Sequence, residues 1–149
     1  MLKYIEYATS TKKRKYYAVF IDYRKAFDLI DRQMLMQKLD STNTKEPHIN
    51  GVIASILSYN LIRIEDGVSS SAYIRQANGV LQSDPISPLL FNIVRAHTVK
   101  IVKDLPQTNI IMYTDDMVLG SPDKEELQIA LNRLQMWADD NKFAINETK

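Results

Sequence analysis

The sequence predicts an α+β domain in which an antiparallel sheet carries helices on one face. Its 149 residues include 45% hydrophobic and 25% charged residues, as in an ordinary globular domain. Apolar runs of strand-like composition alternate along the chain with segments of helical periodicity. With one lateral hairpin set aside, the order of these elements is β-α-β-β-α-β, the split βαβ arrangement.

The first half of the chain is predicted to contain helices, one strand and the lateral hairpin. Aromatic and β-branched residues indicate the strands, and apolar residues spaced four positions apart indicate the helices. Asp66-Gly67 is a strong turn signal and joins the two strands of the hairpin. In order, the predicted elements are a short helix at 2–10, a strand at Tyr16–Asp22, helices at Lys25–Leu39 and His48–Ser58 separated by a polar loop at 40–47, and strands at Asn60–Glu65 and Ala72–Gln76.

The second half is predicted to contain a helix, a hairpin, a second helix and a final strand. Ser87 suits an N-cap and Pro88 the first helical position. Acidic residues favour the start of the second helix, whose apolar residues follow i, i+3, i+4, i+7 spacing. In order, the predicted elements are a helix from Ser87 to about Lys103, hairpin strands at Ile110–Met112 and Met117–Leu119, a helix that starts at Ser121-Pro122, and a strand at Phe143–Ile145.

Composition restricts the classes of function. A net charge of +1 gives no general attraction to nucleic acid, although the basic run Lys12–Lys15 could contact phosphate or direct nuclear import as well as form a solvated loop. The absence of cysteine excludes disulfides, thiolate metal sites and cysteine nucleophiles, and favours an intracellular location, in the nucleus or the cytoplasm. No export signal or run of 18 apolar residues occurs, so we expect no membrane association.

Two adjacent carboxylates, Asp115 and Asp116, lie at the predicted turn of the second hairpin. Aspartate is a common turn residue, so the pair could serve the turn alone. Adjacent carboxylates can instead bind hard divalent cations. If the first strand lies beside this hairpin, Asp22 at its end approaches Asp115, and three carboxylates meet at one sheet edge. Such a cluster suits two Mg²⁺ ions and nucleotidyl transfer.

Four groups of residues then follow the order and spacing of the palm motifs of reverse transcriptases. The chain resembles these enzymes, in the form found in non-LTR retrotransposons, from about Tyr16 to Lys149. The resemblance implies a polymerase palm with RNA-directed DNA polymerase activity, and an RNA template, a DNA primer and dNTP as its ligands. The motifs are Phe20-Ile21-Asp22 with Ala26-Phe27-Asp28, Gly79–Gln82 with Ser87–Asn92, Tyr113–Asp116, and Asn146–Lys149.

The resemblance also implies a role for individual residues. Asp22 and Asp115 would be the chief metal ligands and Asp116 the third carboxylate, for two Mg²⁺ ions with Mn²⁺ as an alternative. Ordinary core packing is the competing role for Phe27 and Tyr113. In the family pattern, Phe27 would exclude a ribonucleotide 2′-hydroxyl, Gln82 would contact the incoming nucleotide or template, Tyr113 would lie beside the primer end, and Lys149 would donate a proton near the triphosphate.

Two departures from the family pattern leave alternatives open. Ser83 and Asp84 follow Gln82, where the family usually has glycine; a positive φ would strain serine, and an acidic side chain would repel a triphosphate. Only 21 residues precede Asp22, so we expect a single palm domain at 1–149 with the fingers mostly absent and the thumb absent.

The first alternative is a catalytically impaired palm that acts as a nucleic-acid or protein interaction module. The second is a nucleotidyl cyclase, against which stands the lack of a Gly-Gly-acidic hairpin. Apolar surface exposed where fingers and thumb would dock also predicts self-association or a partner chain.

Overall fold

The computed structural model describes residues 15–41 and 47–146. The predicted helix at 2–10, the basic residues 12–14 and Lys149 lie outside this part of the chain. The chain forms two compact units, the first made of residues 1–26 and 95–149 and the second of residues 27–94. No described helix is long and apolar enough to cross a membrane.

The described elements follow the predicted order, with several changed boundaries. A 3₁₀ segment, Ala96–Val102, directly follows the third helix. In chain order the elements are β1 (Tyr17–Ile21), β2 (Tyr23–Arg24), α1 (Arg32–Ser41), α2 (Pro47–Ser58), β3 (Leu61–Ile62), β4 (Ile74–Arg75), α3 (Ser87–Arg95), β5 (Asn109–Tyr113), β6 (Asp116–Ser121), α4 (Lys124–Asp140) and β7 (Ala144–Ile145).

The first unit is built on an antiparallel sheet of strand order β1-β6-β5. The first strand therefore lies beside the Asp115-Asp116 hairpin, as the sequence predicts. Ile21 pairs with Met117, and both side chains are buried. The helix α4 packs against β6, and the 3₁₀ segment packs against β5 and α4. The alternating residues of the other face stay open, with Phe20 75% and Tyr113 79% exposed. One face of this sheet is thus covered by helices and the other is accessible.

The last strand does not join this sheet. β7 pairs with β2 in a separate two-stranded sheet, in which Tyr23 lies opposite Ile145. Three aromatic rings pack beside it, with the centroid of Tyr23 6.4 Å from Trp137 and 5.6 Å from Phe143. The predicted strand at Phe143–Ile145 is present as Ala144–Ile145. It pairs with β2, which directly follows Asp22, and it is not part of the central sheet.

The strongest helix prediction, α4, is confirmed with a later start. Ser121 is the last residue of β6 and is fully buried, so the helix begins after Pro122 rather than at it. Asp123 is the N-cap, and its carboxylate accepts hydrogen bonds from the backbone N–H groups of Glu125 and Glu126. The buried residues Leu127, Ala130, Leu134 and Ala138 form the predicted apolar stripe.

In the second unit, α1 begins at Arg32, and the predicted start at Lys25 is wrong. Lys25 has a positive φ of 50°, and Asp31 accepts hydrogen bonds from the N–H groups of Gln33 and Met34. The carbonyls of Phe27 and Ile30 accept instead from Val80 and Gly79, at 2.9 and 2.8 Å. These tertiary bonds use the acceptors that a helix through this segment would need.

The rest of the second unit follows the prediction with shorter strands. α2 packs against α1, and β3 pairs with β4 through the expected turn, where Gly67 has a positive φ. The predicted helix from Ser87 to about Lys103 is α-helical only to Arg95 and continues as the 3₁₀ segment. Leu90, Phe91 and Val94 of α3 are at most 1% exposed.

Candidate active site

Strand pairing brings Asp22 and the aspartate pair to the same end of the central sheet. Ile21 at the end of β1 pairs with Met117, so the next position in the register places Asp22 opposite Asp116, the first residue of β6. Asp115 directly precedes it in the turn. Asp22 and Asp115 are half-buried, and Asp116 is exposed. The sheet therefore positions all three predicted carboxylates at one edge.

The hairpin that carries the aspartate pair has a strained tip. Tyr113 pairs with Asp116, which leaves Thr114 and Asp115 as a two-residue turn. Thr114 has a φ of 50°. This conformation is uncommon for a β-branched residue and costs about 1–3 kcal/mol. Pairing along the whole of β5 and β6 holds the strained tip, and such strain is often found where a functional group must be presented.

Asn146 holds the carboxylate of Asp22. Its side-chain Nδ2 donates a hydrogen bond of 3.1 Å to Oδ2 of Asp22, and its backbone N–H donates one of 2.8 Å to the Asp22 carbonyl. Partners of this kind orient carboxylates that bind metals. The resemblance placed Asn146 in a motif but did not assign it this contact. The signal is its position immediately after the short apolar strand β7.

A buried arginine adds positive charge near the carboxylates. Arg95, the last residue of α3, is only 2% exposed. Burial lowers the pKa of its guanidinium, while the negative charges of Asp115 and Asp116 act in the opposite direction. Sequence reasoning missed this residue, although it is the one charged residue at the end of the largely apolar segment Leu89–Val94. Arg95 partly offsets the carboxylate charge from inside the unit.

The three carboxylates suit a hard cation by their chemistry. Within residues 15–41 and 47–146, no three His, Cys, Asp or Glu side chains form a group that could hold a metal ion. Mg²⁺ does not require one, because it commonly takes one or two carboxylates and completes its shell with water and substrate phosphate. Asp22, Asp115 and Asp116 therefore offer the oxygen ligands that Mg²⁺ prefers, but they do not form a complete site on their own.

The predicted nucleotide-contacting residues of the second unit belong to one hydrogen-bonded segment. The ring of Phe27 is half-buried and stacks on Phe91 with centroids 5.2 Å apart. Gln82 is exposed in the turn that follows Gly79 and Val80. Gly79 and Val80 donate backbone hydrogen bonds to the segment that contains Phe27. These bonds join the segment of Phe27 to the segment that leads into Gln82.

The Ser83-Asp84 departure has a local structural explanation. Ser83 is not among the described residues with positive φ, so glycine is not required at this position. Asp84 accepts a hydrogen bond of 3.0 Å from the backbone N–H of Ile86 and thereby supports the turn into α3. The carboxylate therefore has a role within the second unit.

Tyr23, which lies beside the candidate site, gives a pH-dependent prediction. It is 4% exposed, and its hydroxyl has no hydrogen-bond partner among the described residues. Burial raises the pKa of Tyr23 to about 12, against an opposing effect of Arg95. Below pH 10 the Tyr23 hydroxyl is neutral in both the folded and the unfolded protein. Above pH 10 it loses its proton in the unfolded protein first. We expect stability to fall by about 2–3 kcal/mol as the pH rises from about 10 to 12.

Chemical denaturation of wild type and Tyr23→Phe at pH 9 and pH 12 measures this effect. In Tyr23→Phe, the loss of stability at alkaline pH should be smaller by about 2–3 kcal/mol. In Tyr113→Phe, which changes an exposed tyrosine, the loss should be as large as in wild type. Equal pH dependence in wild type and Tyr23→Phe would contradict the assignment.

Comparison with known proteins is consistent with this geometry. A family model described as "Reverse transcriptase (RNA-dependent DNA polymerase)" matches residues 2–149. The Pol polyprotein of the type-1 retrotransposable element R2 from Nasonia vitripennis is 29% identical, over 80% of this chain and 12% of its own length. That of the type-2 element R2DM from Drosophila melanogaster is 28% identical with the same coverage. The chain spans about an eighth of the length of these relatives.

Solved telomerase structures share the fold. Apo telomerase from Candida tropicalis superimposes with a TM-score of 0.79 at 12% identity, over 99% of this chain and 30% of that one. Telomerase from Candida albicans, in complex with a TWJ fragment of telomeric RNA, gives a TM-score of 0.65 at 13% identity, over 99% and 29% of the two chains. At these identities the likeness concerns the fold alone, and it supports the predicted palm.

Proposed function

Because this chain belongs to the reverse transcriptase (RNA-dependent DNA polymerase) family, we propose that it extends a DNA primer on an RNA template. The observation that supports the proposal is the β1–β6 pairing: Ile21, directly before Asp22, pairs with Met117, directly after Asp116. Similarity to R2 retrotransposon Pol polyproteins supports the same activity.

In the proposed reaction, the 3′-oxygen of the primer forms a bond to the α-phosphorus of a dNTP. The bond from that phosphorus to the oxygen that bridges to the β-phosphate breaks, and pyrophosphate leaves. The proton of the 3′-hydroxyl passes to solvent, and the leaving pyrophosphate gains one. Catalysis of this type depends mainly on positioning and on stabilisation of charge.

The carboxylates of Asp22, Asp115 and Asp116 are proposed to hold two Mg²⁺ ions, with Mn²⁺ as an alternative. When bound, such ions would stabilise the negative charge on the attacking and the leaving oxygen. Asn146 keeps the Asp22 carboxylate oriented through its hydrogen bond. Arg95 limits the repulsion among the carboxylates before any cation arrives.

The remaining site residues keep the roles that family membership suggests. Phe27 is proposed to exclude the 2′-hydroxyl of a ribonucleotide, and its stacking on Phe91 would keep the ring in one orientation. The exposed side chain of Gln82 is proposed to contact the nucleotide or template. Tyr113, on the open face of the sheet, is proposed to lie beside the primer end. Lys149, outside the described residues, is proposed to protonate pyrophosphate.

Exposed apolar side chains of the second unit support a further partner. Ile49, Val52 and Ile56 of α2 are 43–58% exposed, and Leu61 and Ile74 of the hairpin are 59% and 55% exposed. Apolar surface of this extent is commonly covered by another protein surface. We propose that a second copy or another polypeptide segment covers it, within a single palm domain that comprises both units.

Primer extension on an RNA template tests the proposed activity. The purified chain is incubated with an annealed DNA primer, dNTPs and either Mg²⁺ or Mn²⁺. We expect extension by wild type and a loss of at least about 100-fold in Asp115→Asn, because one preorganised charge at a transition state is worth this much or more.

Asp140→Asn is the matched control, since it removes the same charge from an exposed position on α4. Extension that persists in Asp115→Asn would refute the metal site. A folded wild-type protein without extension would instead favour the second candidate, an impaired palm that serves as an interaction module.

A further inference from the structure

The second unit contains a cavity of about 360 Å³ between α1, α2 and the residues that follow β4. This volume lies within the range of small-molecule sites, about 300–1,000 Å³. Every described residue that lines it belongs to residues 27–94, and none of these described residues is acidic. Two of them, Arg32 and Arg75, are arginines.

Arg32 forms one wall, and within the part of the chain that the structure describes it is bonded only to neutral groups. Its Nε donates a hydrogen bond of 2.8 Å to the carbonyl of Gly79, and its Nη1 donates to the carbonyls of Leu57 and Gln76, the latter at 2.7 Å. The remaining nitrogen, Nη2, is buried and has no hydrogen-bond partner among the described residues. Three carbonyls thus fix the guanidinium in place, but none of them neutralises its charge.

Arg75 brings a second guanidinium to the same cavity. It lies on β4 opposite Leu61, and its side chain is exposed. Burial lowers the pKa of Arg32, and the charge of Arg75 lowers it further. The Arg32 side chain is half-buried, and a charge that is partly withdrawn from water without a counter-ion is costly. A second cation beside it adds to that cost. An anion in the cavity would relieve both effects.

The remaining lining restricts the kind of anion. Met36 and Leu57 provide an apolar wall, while Ser58 and Gln76 add polar groups. Arginine pairs bind phosphate through several directed N–H groups, and an apolar wall accommodates a sugar or base. We propose that this cavity binds the phosphate group of a nucleotide, with Arg75 as its cationic ligand and Arg32 as a fixed positive charge beside it.

The phosphate could belong to an RNA strand or to a free nucleotide. The choice of an RNA strand as one source rests on the proposed function. The existence of the phosphate site does not depend on that function. The cavity would be an anchor for nucleic acid in addition to the candidate active site. Binding at this anchor requires no carboxylate and no divalent cation.

Fluorescence anisotropy with a labelled single-stranded RNA, in EDTA, tests the proposal. Arg75→Gln is compared with Arg63→Gln, which removes the same charge from the same hairpin. Arg63 already pairs with Glu65, lies over the ring of Tyr73 and does not line the cavity. We expect Arg75→Gln to weaken binding at least fivefold and to reduce the salt slope by about 0.7, the value for one phosphate contact on a single strand.

Competition identifies the source of the phosphate. If AMP displaces the RNA from wild type but not from Arg75→Gln, the cavity takes a free nucleotide; if only RNA binds, it takes a strand. The NMR signal of the Arg32 Nε–H group should shift with either ligand. Absence of RNA and AMP binding, equal effects of the two substitutions, or an unmoved Arg32 signal would overturn the proposal.

The design separates this proposal from the polymerase proposal. Asp115→Asn should retain RNA binding in EDTA while it loses primer extension. Loss of binding in Asp115→Asn would overturn the separate anchor, and loss of extension alone would leave it supported. Thermal melting of Arg75→Gln verifies that the exposed substitution keeps the fold.

Discussion

Replacing Gly79 with alanine is expected to destabilise the protein by about 3–5 kcal/mol. Gly79 has a φ of +76°, a backbone conformation that raises the free energy of the folded state for any residue with a Cβ. That Cβ would also lie 2.7 Å from the carbonyl oxygen of Asp28 and 2.8 Å from that of Phe27. These are backbone atoms, and the bonds from Gly79 to Ile30 and from Val80 to Phe27 prevent them from moving apart.

Urea denaturation followed by circular dichroism measures this loss, and two other glycines serve as controls. Gly67 has a φ of +86°, but a Cβ added there would meet nothing within 4 Å, so Gly67→Ala reports the backbone cost alone. Gly51 lies in α2 with open space around it, and Gly51→Ala should stabilise by about 0.5–1 kcal/mol. Equal effects at Gly79 and Gly67 would contradict the close contact with residues 27 and 28.

Removal of the Asp115 carboxylate is expected to weaken divalent-metal binding more than any substitution outside the carboxylate edge. Loss of a residue that merely supports a ligand commonly costs about 10–100-fold in affinity, and loss of a ligand should cost more. We therefore expect Asp115→Asn to lower the affinity for Mn²⁺ by over about 100-fold, and Asn146→Ala, which releases Asp22, by about tenfold.

Mn²⁺ binding can be followed by electron paramagnetic resonance of the free ion. Asp140→Asn controls for the change in net charge and should bind as wild type does. An unchanged affinity in Asp115→Asn would exclude this carboxylate as a ligand, whatever the result of primer extension. If Asn146→Ala lowers the affinity for Mn²⁺ tenfold and Asp115→Asn does not lower it, Asp22 and not Asp115 would be the metal ligand.

Sequence patterns predicted those elements whose local signals agree with their tertiary contacts. In α4, apolar spacing and acidic residues near the start indicate one helix, and the structure contains it. The segment from Lys25 was predicted as helix from its side-chain spacing, but its carbonyls bond to Gly79 and Val80, about 50 residues away. Hydrogen bonds at that separation leave no local periodic signal. The pairing of β7 with β2 was missed for the same reason.

The residues of the candidate site that belong to sequence motifs could be predicted. The aspartates are recognisable from spacing and resemblance, and the strand order explains how Asp22 approaches the other two. Arg95 was not recognisable, because a charged residue at the end of an apolar helix usually faces solvent, whereas this one is buried. Arg32 is similar: its three carbonyl partners lie 25–47 residues away, and only the fold brings them together.

The insertion of the second unit between β1 and its partner strand has a consequence for synthesis of the chain. Ile21 pairs with Met117, so a ribosome must add about 100 residues before β1 can form its ladder. At about 5–20 residues per second, the strand waits for roughly 5–20 s. Residues 27–94 are continuous and can form their own contacts during that interval. Until β6 emerges, the edges of β1 are open to pairing with other nascent chains, so aggregation is a risk during this interval.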